Sequence, residues 1–104
     1  MTLIEFQNLL QQHLITVGYF STETCNVCKV LRPQVRQICQ NIDHVHFEYV
    51  DIEKAPELRG QYLVFSVPTI IIFVEGKEHK RLNRYMSLQD FETELLRLVE
   101  ILTE

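Results

Sequence analysis

Hydrophobic positions switch between a helical period and short β-rich runs along this chain, and the order of the two patterns predicts a layered α/β protein. Phe6, Leu9, Leu10 and Leu14 recur at helical spacing behind Thr2-x-x-Glu5, a capping box, so residues 3–13 read as a helix. Ile15–Phe20 is rich in β-branched and aromatic residues and predicts a strand. Ser21–Thr24 follows as a polar turn whose side chains suit a helix start. From Cys25, the residues Cys28, Leu31, Val35, Ile38 and Ile42 step by three and four down one face of a long helix. Pro33 falls inside it and is expected to kink it.

The second half continues the alternation. Val45, Phe47 and Tyr49 alternate with His46, Glu48 and Val50, a strand over Val45–Ile52. Glu53–Leu63, with Pro56 near its start and Leu58 four before Tyr62, reads as a short helix. Val67-Pro68-Thr69 opens an apolar run to Val74, the signature of a strand buried on both faces. Glu75-Gly76 is a two-residue hairpin turn, and Lys77–Leu82 returns as a basic edge strand. Ser87 caps a last helix striped by Leu88, Phe91, Leu95, Leu98 and Leu102. The order α-β-α-β-α-β-β-α predicts parallel pairing between strands separated by helices, with the final hairpin adding an antiparallel edge. At 104 residues, the expectation is one domain spanning 1–104.

Composition narrows the function. Apolar residues make up 46% and charged residues 23%, values that fit a packed core and exclude a disordered tail or a disulfide-dense mini-protein. Ten basic against fourteen acidic side chains leave a net charge of −4, the wrong sign for a nucleic-acid partner. The longest apolar run, Ile70–Val74, is far short of the roughly 20 residues of a membrane span. Met1 leads straight into a polar, capped helix pattern with no apolar signal block, which predicts a cytoplasmic protein.

Cysteine spacing carries the chemistry. Cys25-Asn26-Val27-Cys28 is a C-x-x-C pair, open on spacing alone to zinc binding, inert packing or redox exchange. A structural zinc needs four ligands, and His44 and His46, on another element, are the only further candidates. The polar surround of Thr22, Glu23, Thr24 and Asn26 argues against inert packing. The position between a strand and a helix favours redox chemistry, with no metal. Cys39 lies 11 residues past Cys28, about 16 Å along a helix and beyond disulfide reach, so it reads as a small buried hydrophobe.

Phe20, Cys25-Asn26-Val27-Cys28-Lys29, Pro33, Val50-Asp51-Ile52-Glu53, Val67-Pro68-Thr69 and Phe73 before Gly76 together resemble the thioredoxin superfamily over nearly the whole chain. The resemblance implies a thioredoxin-like α/β fold with a central mixed four-stranded sheet flanked by helices, lacking the family's N-terminal strand. Val45–Asp51 would then be a sheet edge open to self-association. It further implies a cis peptide before Pro68. Departures from the family are specific. Thr24 stands for the usual tryptophan, Asn26-Val27 for Gly-Pro, Tyr19 and Tyr49 for a buried aspartate and its lysine, and Arg84 for a groove glycine.

By that resemblance the protein is a thiol–disulfide oxidoreductase, with Cys25 as nucleophile and Cys28 as resolving thiol. Thr24, Val67, Pro68 and Arg84 would form the substrate platform. No bound cofactor is implied, because the Cys25–Cys28 disulfide carries the electrons. The implied partners are disulfide-containing proteins, with an NADPH-dependent disulfide reductase or a small thiol as electron donor. The alternative is a partner-binding module of the same fold with little or no redox activity, favoured by the loss of the buried charges and the groove glycine. Glu23 is expected to raise the Cys25 pKa slightly where its carboxylate lies near.

Overall fold

The computed structural model describes all 104 residues. The elements run α1 (Leu3–Gln11), β1 (Ile15–Ser21), α2 (Asn26–Gln40), β2 (Val45–Asp51), α3 (Pro56–Gln61), β3 (Thr69–Val74), β4 (Lys77–Leu82) and α4 (Leu88–Leu102). Their helix starts follow from local chemistry. The Thr2 hydroxyl accepts from the Glu5 amide while the Glu5 carboxylate accepts from the Thr2 amide, and the Ser87 hydroxyl accepts from the Asp90 amide. Glu75 and Gly76 both take positive φ, 50° and 87°, the double left-handed turn that joins β3 to β4. No helix is long and apolar enough to cross a membrane.

One sheet orders the strands β2-β1-β3-β4. β2 runs parallel to β1, with Ile15 opposite Val45 and Ser21 opposite Asp51. β3 runs antiparallel to β1, which corrects the expectation of parallel pairing between helix-separated strands. The reason lies in the length of α3. Six residues rise about 9 Å, against about 23 Å for the seven of β2. The chain therefore turns at the end of the sheet where β2 finished, and β3 starts from that end. Helix α3 is also shorter than the apolar pattern suggests, because Pro56 and the positive φ of Leu63 bound it. Helix α2 runs continuously through Pro33, and its start is one residue later than Cys25.

The core forms two layers, one on each face of the sheet. Ile15, Val17 and Tyr19 pack with Cys28, Val35, Cys39 and Ile42 of the α2 region and with Phe91, Leu95 and Leu98 of α4. Phe6 and Leu10 of α1, Phe20, Val50, Leu58 and Phe73 fill the other face. Gly18 belongs to this second face, where a Cβ would come within 2.8 Å of the Phe20 ring and 3.2 Å of Phe73. On the far side, Glu94 of α4 accepts from His79 at 2.7 Å, tying α4 to β4, and from two of the three guanidinium nitrogens of Arg97.

Two stability predictions follow from these contacts. The Thr16 hydroxyl is buried in β1 without a hydrogen-bond partner. Thr16→Val should therefore stabilise the fold by about 1 kcal/mol in denaturant melts, since an apolar group of the same shape removes an uncompensated desolvation. The Glu94 carboxyl is held down to about 2 from the usual 4.5, first by the Arg97 hydrogen bonds and then by His79. A carboxyl whose folded pKa is depressed stabilises fully above its unfolded pKa and loses that contribution as pH falls through the folded one. The stability gap between wild type and Glu94→Gln should accordingly be full at neutral pH and close between about 4.5 and about 2; a gap that does not change with pH would show that the carboxylate charge contributes nothing.

Candidate active site

The strand register gathers one set of loops at a single end of the sheet. Phe20 pairs with Thr69, so Pro68 follows on beside Ser21, four residues before Cys25. Ile70 pairs with Leu82, which carries Arg84 to the level of Pro68 on the other side. The C-x-x-C turn, Val67-Pro68 and the Asn83–Met86 loop therefore share one rim. The Val67–Pro68 peptide is cis, and Pro68 is buried.

Cys25 is the N-cap of α2. Its backbone is extended, with φ −82° and ψ 106°, and its sulfur accepts from the Cys28 amide at 3.2 Å. That amide is one of the free N–H groups at the first turn of a 15-residue helix, so the same contact that caps the helix would stabilise a thiolate there. Cys25 and Cys28 are joined as a disulfide with Cα atoms 5.2 Å apart. Cys25 is half-buried and Cys28 fully buried, so one sulfur faces the rim and the other faces the core. Thr24 is exposed beside them, its hydroxyl 3.3 Å from that of Thr22. No group of three or more potential ligands is arranged to hold a metal.

The two tyrosines beneath the pair have distinct tasks. Tyr19, fully buried, donates its hydroxyl to the Cys28 carbonyl at 2.8 Å. Burial pushes its pKa up to about 12, so it donates a hydrogen bond at neutral pH and does not act as a base. Tyr49 stacks against Tyr19 with ring centroids 6.4 Å apart and donates to the Glu23 carboxylate at 3.1 Å. Its pKa is also raised, by burial first and then by that bond to Glu23. Arg32 lies over the Tyr49 ring at 4.4 Å, with a guanidinium nitrogen 3.9 Å from Glu23. The Glu23 carboxylate is thus engaged by Tyr49 and Arg32.

The place of the two tyrosines as substitutes for a buried aspartate and its lysine gives no sign of these contacts. Tyr19 pairs with Tyr49 across adjacent parallel strands, which places both rings under one turn of α2. Arg84 is exposed, its guanidinium donating to the Tyr85 hydroxyl at 2.7 Å and lying 4.9 Å from that ring. Arg81, on the basic edge strand, donates to the carbonyls of Tyr62 and Leu63, which lead into Val67-Pro68. Cys39 is buried and free, and burial pushes its thiol up to about 12. His44 and His46 lie at the opposite end of the sheet, where His46 stacks on His13 at 4.0 Å.

The Tyr19 contact yields a direct prediction. Tyr19→Phe should lower stability by about 1 kcal/mol by leaving the Cys28 carbonyl without this donor. An unchanged denaturation midpoint would mean that the hydrogen bond contributes nothing net.

Comparison with known proteins matches this architecture to one family. The thioredoxin family model matches residues 1–97. The chain is 26% identical over 100 residues to the thioredoxin-like protein YdfQ of Bacillus subtilis, covering 96% of this chain and 89% of that protein. It is 36% identical over 76 residues to the thioredoxin of Chlamydia trachomatis, covering 73% and 74%. Among solved structures, thioredoxin 1 of Thermosipho africanus superposes with a TM-score of 0.77 at 34% identity, over 86% of this chain and 99% of that one. A C-x-x-C pair at disulfide distance, capping a helix at the end of this four-stranded mixed sheet, is consistent with thiol–disulfide exchange, and the chain belongs to the thioredoxin family.

Proposed function

We propose that the chain, acting as one unit over residues 1–104, reduces or exchanges disulfides of protein substrates, with Cys25 as nucleophile and Cys28 as resolving thiol. The observation that carries the assignment is the asymmetry of the pair: Cys25 is half-buried at a helix N-cap and accepts an amide N–H, while Cys28 is buried behind it. In the reduced protein the Cys25 thiolate attacks one sulfur of a substrate disulfide. A Cys25–substrate bond forms, and the other substrate sulfur leaves as a thiolate. Cys28 then loses its proton and attacks the Cys25 sulfur, releasing the second substrate thiolate and closing the Cys25–Cys28 disulfide. Two electrons pass to the substrate, and no resident cofactor takes part.

Thr24, Val67, Pro68 and Arg84 form the platform that receives the substrate. Pro68 has no N–H to offer, whereas the Val67 backbone is placed to pair with an extended segment across the cysteines. Electrons return from an NADPH-dependent disulfide reductase or a small thiol. A reducing compartment such as the cytoplasm suits this cycle, and the buried thiol of Cys39 takes no part in it. Because the tyrosines below Cys28 have raised pKa values, neither accepts its proton at neutral pH. The base for resolution therefore lies outside this tyrosine pair.

Mass counting of alkylated thiols across dithiol buffers of known poise tests the assignment. The expected result is a two-electron transition of Cys25 and Cys28 between about −200 and −300 mV, a range typical of reducing dithiol couples, with Cys39 never joining a disulfide. Cys25→Ser should abolish reduction of a model protein disulfide, and Cys28→Ser should accumulate a mixed disulfide on Cys25. In wild type that intermediate should resolve slowly at pH 7 and faster as pH rises. Absence of a disulfide at every poise, or full turnover by Cys25→Ser, would overturn the proposal.

A further inference from the structure

The two edges of the sheet are built differently. At one edge, β4 carries Lys77, Lys80 and Arg81, and its pairing with β3 is broken by an irregularity at Ile72/Phe73. Charge and bulges of this kind stop an edge strand from recruiting another strand. At the other edge, β2 has no basic side chain and no bulge. Its seven residues stay in unbroken register with β1 from Val45 to Asp51, and Val-His-Phe-Glu-Tyr-Val-Asp contains no lysine, arginine, proline or glycine. The outer row of backbone N–H and C=O groups on β2 has no strand partner. Open clefts follow it along its length, beside Val45 and His46 at one end, beside Phe47 and Glu48 in the middle, and beside Val50 and Asp51 at the other.

The side chains of this edge are complementary to themselves. Val45, Phe47 and Tyr49 face the α2 layer, whereas His46, Glu48 and Val50 face the α1 and α3 layer. When two copies of β2 run antiparallel about an axis through Phe47, Phe47 meets Phe47 and Val45 meets Tyr49, all apolar or aromatic pairs on one face. On the other face, His46 of each copy meets Glu48 of its mate. Within one chain the His46 ring and the Glu48 carboxylate already bond at 2.9 Å, so the two groups lie on one face and within reach of each other. Directly opposed residues of an antiparallel pair come about as close, with Cβ atoms roughly 5 Å apart. A register slip by one residue on either copy would set His46 against an apolar residue and break both cross-strand pairs.

We propose that β2 is a homodimerisation edge, through which two copies of this chain join their sheets into one eight-stranded sheet by antiparallel β2–β2 pairing centred on Phe47. The reactive rim lies at the ends of the strands and is left open in each copy. Arg32, which lines the cleft beside Phe47, is drawn to Glu23 and Tyr49 and so is held on its own protomer.

Sedimentation velocity over a concentration series tests the proposal, using wild type, His46→Glu, Glu48→Lys and the double variant His46→Glu/Glu48→Lys. The wild type should dimerise with rising concentration. Each single variant should weaken the dimer about tenfold or more: His46→Glu sets carboxylates against each other at two symmetry-related places, and Glu48→Lys removes the acceptor opposite each His46 ring. The double variant, which restores opposite charges with their order reversed, should recover it. Thermal melts run beside each sample show whether a variant is folded; should His46→Glu lose its fold with the His13 stack, Glu48→Lys carries the comparison alone. A wild type that stays monomeric at the highest concentration, or a dimer that the folded single variants leave unchanged, would overturn the proposal.

Discussion

The two-sided burial of β1 is the constraint on which the rest of this structure depends. All seven of its residues are buried, so its backbone must be paired on both sides and its side chains must fit two different layers. The pairing is met by β2 on one flank and β3 on the other. The fit is met by large side chains on the α2 and α4 side and by the Gly18 gap, filled by the Phe20 and Phe73 rings, on the other. A strand fixed this firmly makes a rigid support. It ends at Ser21, four residues before Cys25, so the reactive turn is anchored in the one strand buried at every residue. Tyr19 extends the same support upward through its hydrogen bond to the Cys28 carbonyl.

This arrangement separates the two cysteines chemically although only two residues divide them. The helix cap orients an amide toward Cys25, while the packed layer withdraws Cys28 from solvent. A covalently linked pair with unlike surroundings has a defined direction of attack, because the sulfur at the rim is reached first. The polar groups under the pair serve geometry more than proton transfer. Glu23, Tyr49 and Arg32 bind one another, bracing the segment just before Cys25 against β2 and α2.

Much of this was legible in residue order, where the governing interactions are local. Capping at Thr2 and Ser87, the Glu75-Gly76 turn and the α2 and α4 stripes each depend on neighbours within four positions, and they appear where the pattern puts them. The direction of β3 was not legible, because it depends on how far a six-residue helix can carry the chain. Nor was the Tyr19 hydrogen bond, since periodicity marks a tyrosine as buried without saying where its hydroxyl points. Tyr49 with Glu23, 26 residues away, and Arg81 with the carbonyls of Tyr62 and Leu63, 19 and 18 residues away, escape for the same reason. Such long-range polar contacts are settled by the fold and leave no period in the sequence.

The Arg81 bonds have a consequence of their own. The stretch from Tyr62 to Pro68 contains a left-handed Leu63 and the exposed Phe65, features of a segment expected to sample many shapes in isolation. A guanidinium reaching across from β4 holds its first two carbonyls, and the Thr69 hydroxyl donates back to the Ser66 carbonyl at 2.6 Å. The conformational entropy of ordering this segment is thus surrendered once, when the chain folds, and not again at each encounter with a partner. If Val67 receives substrate as proposed, the ligand meets a preorganised surface, and its affinity is reduced less by the ordering that loose loops exact on binding.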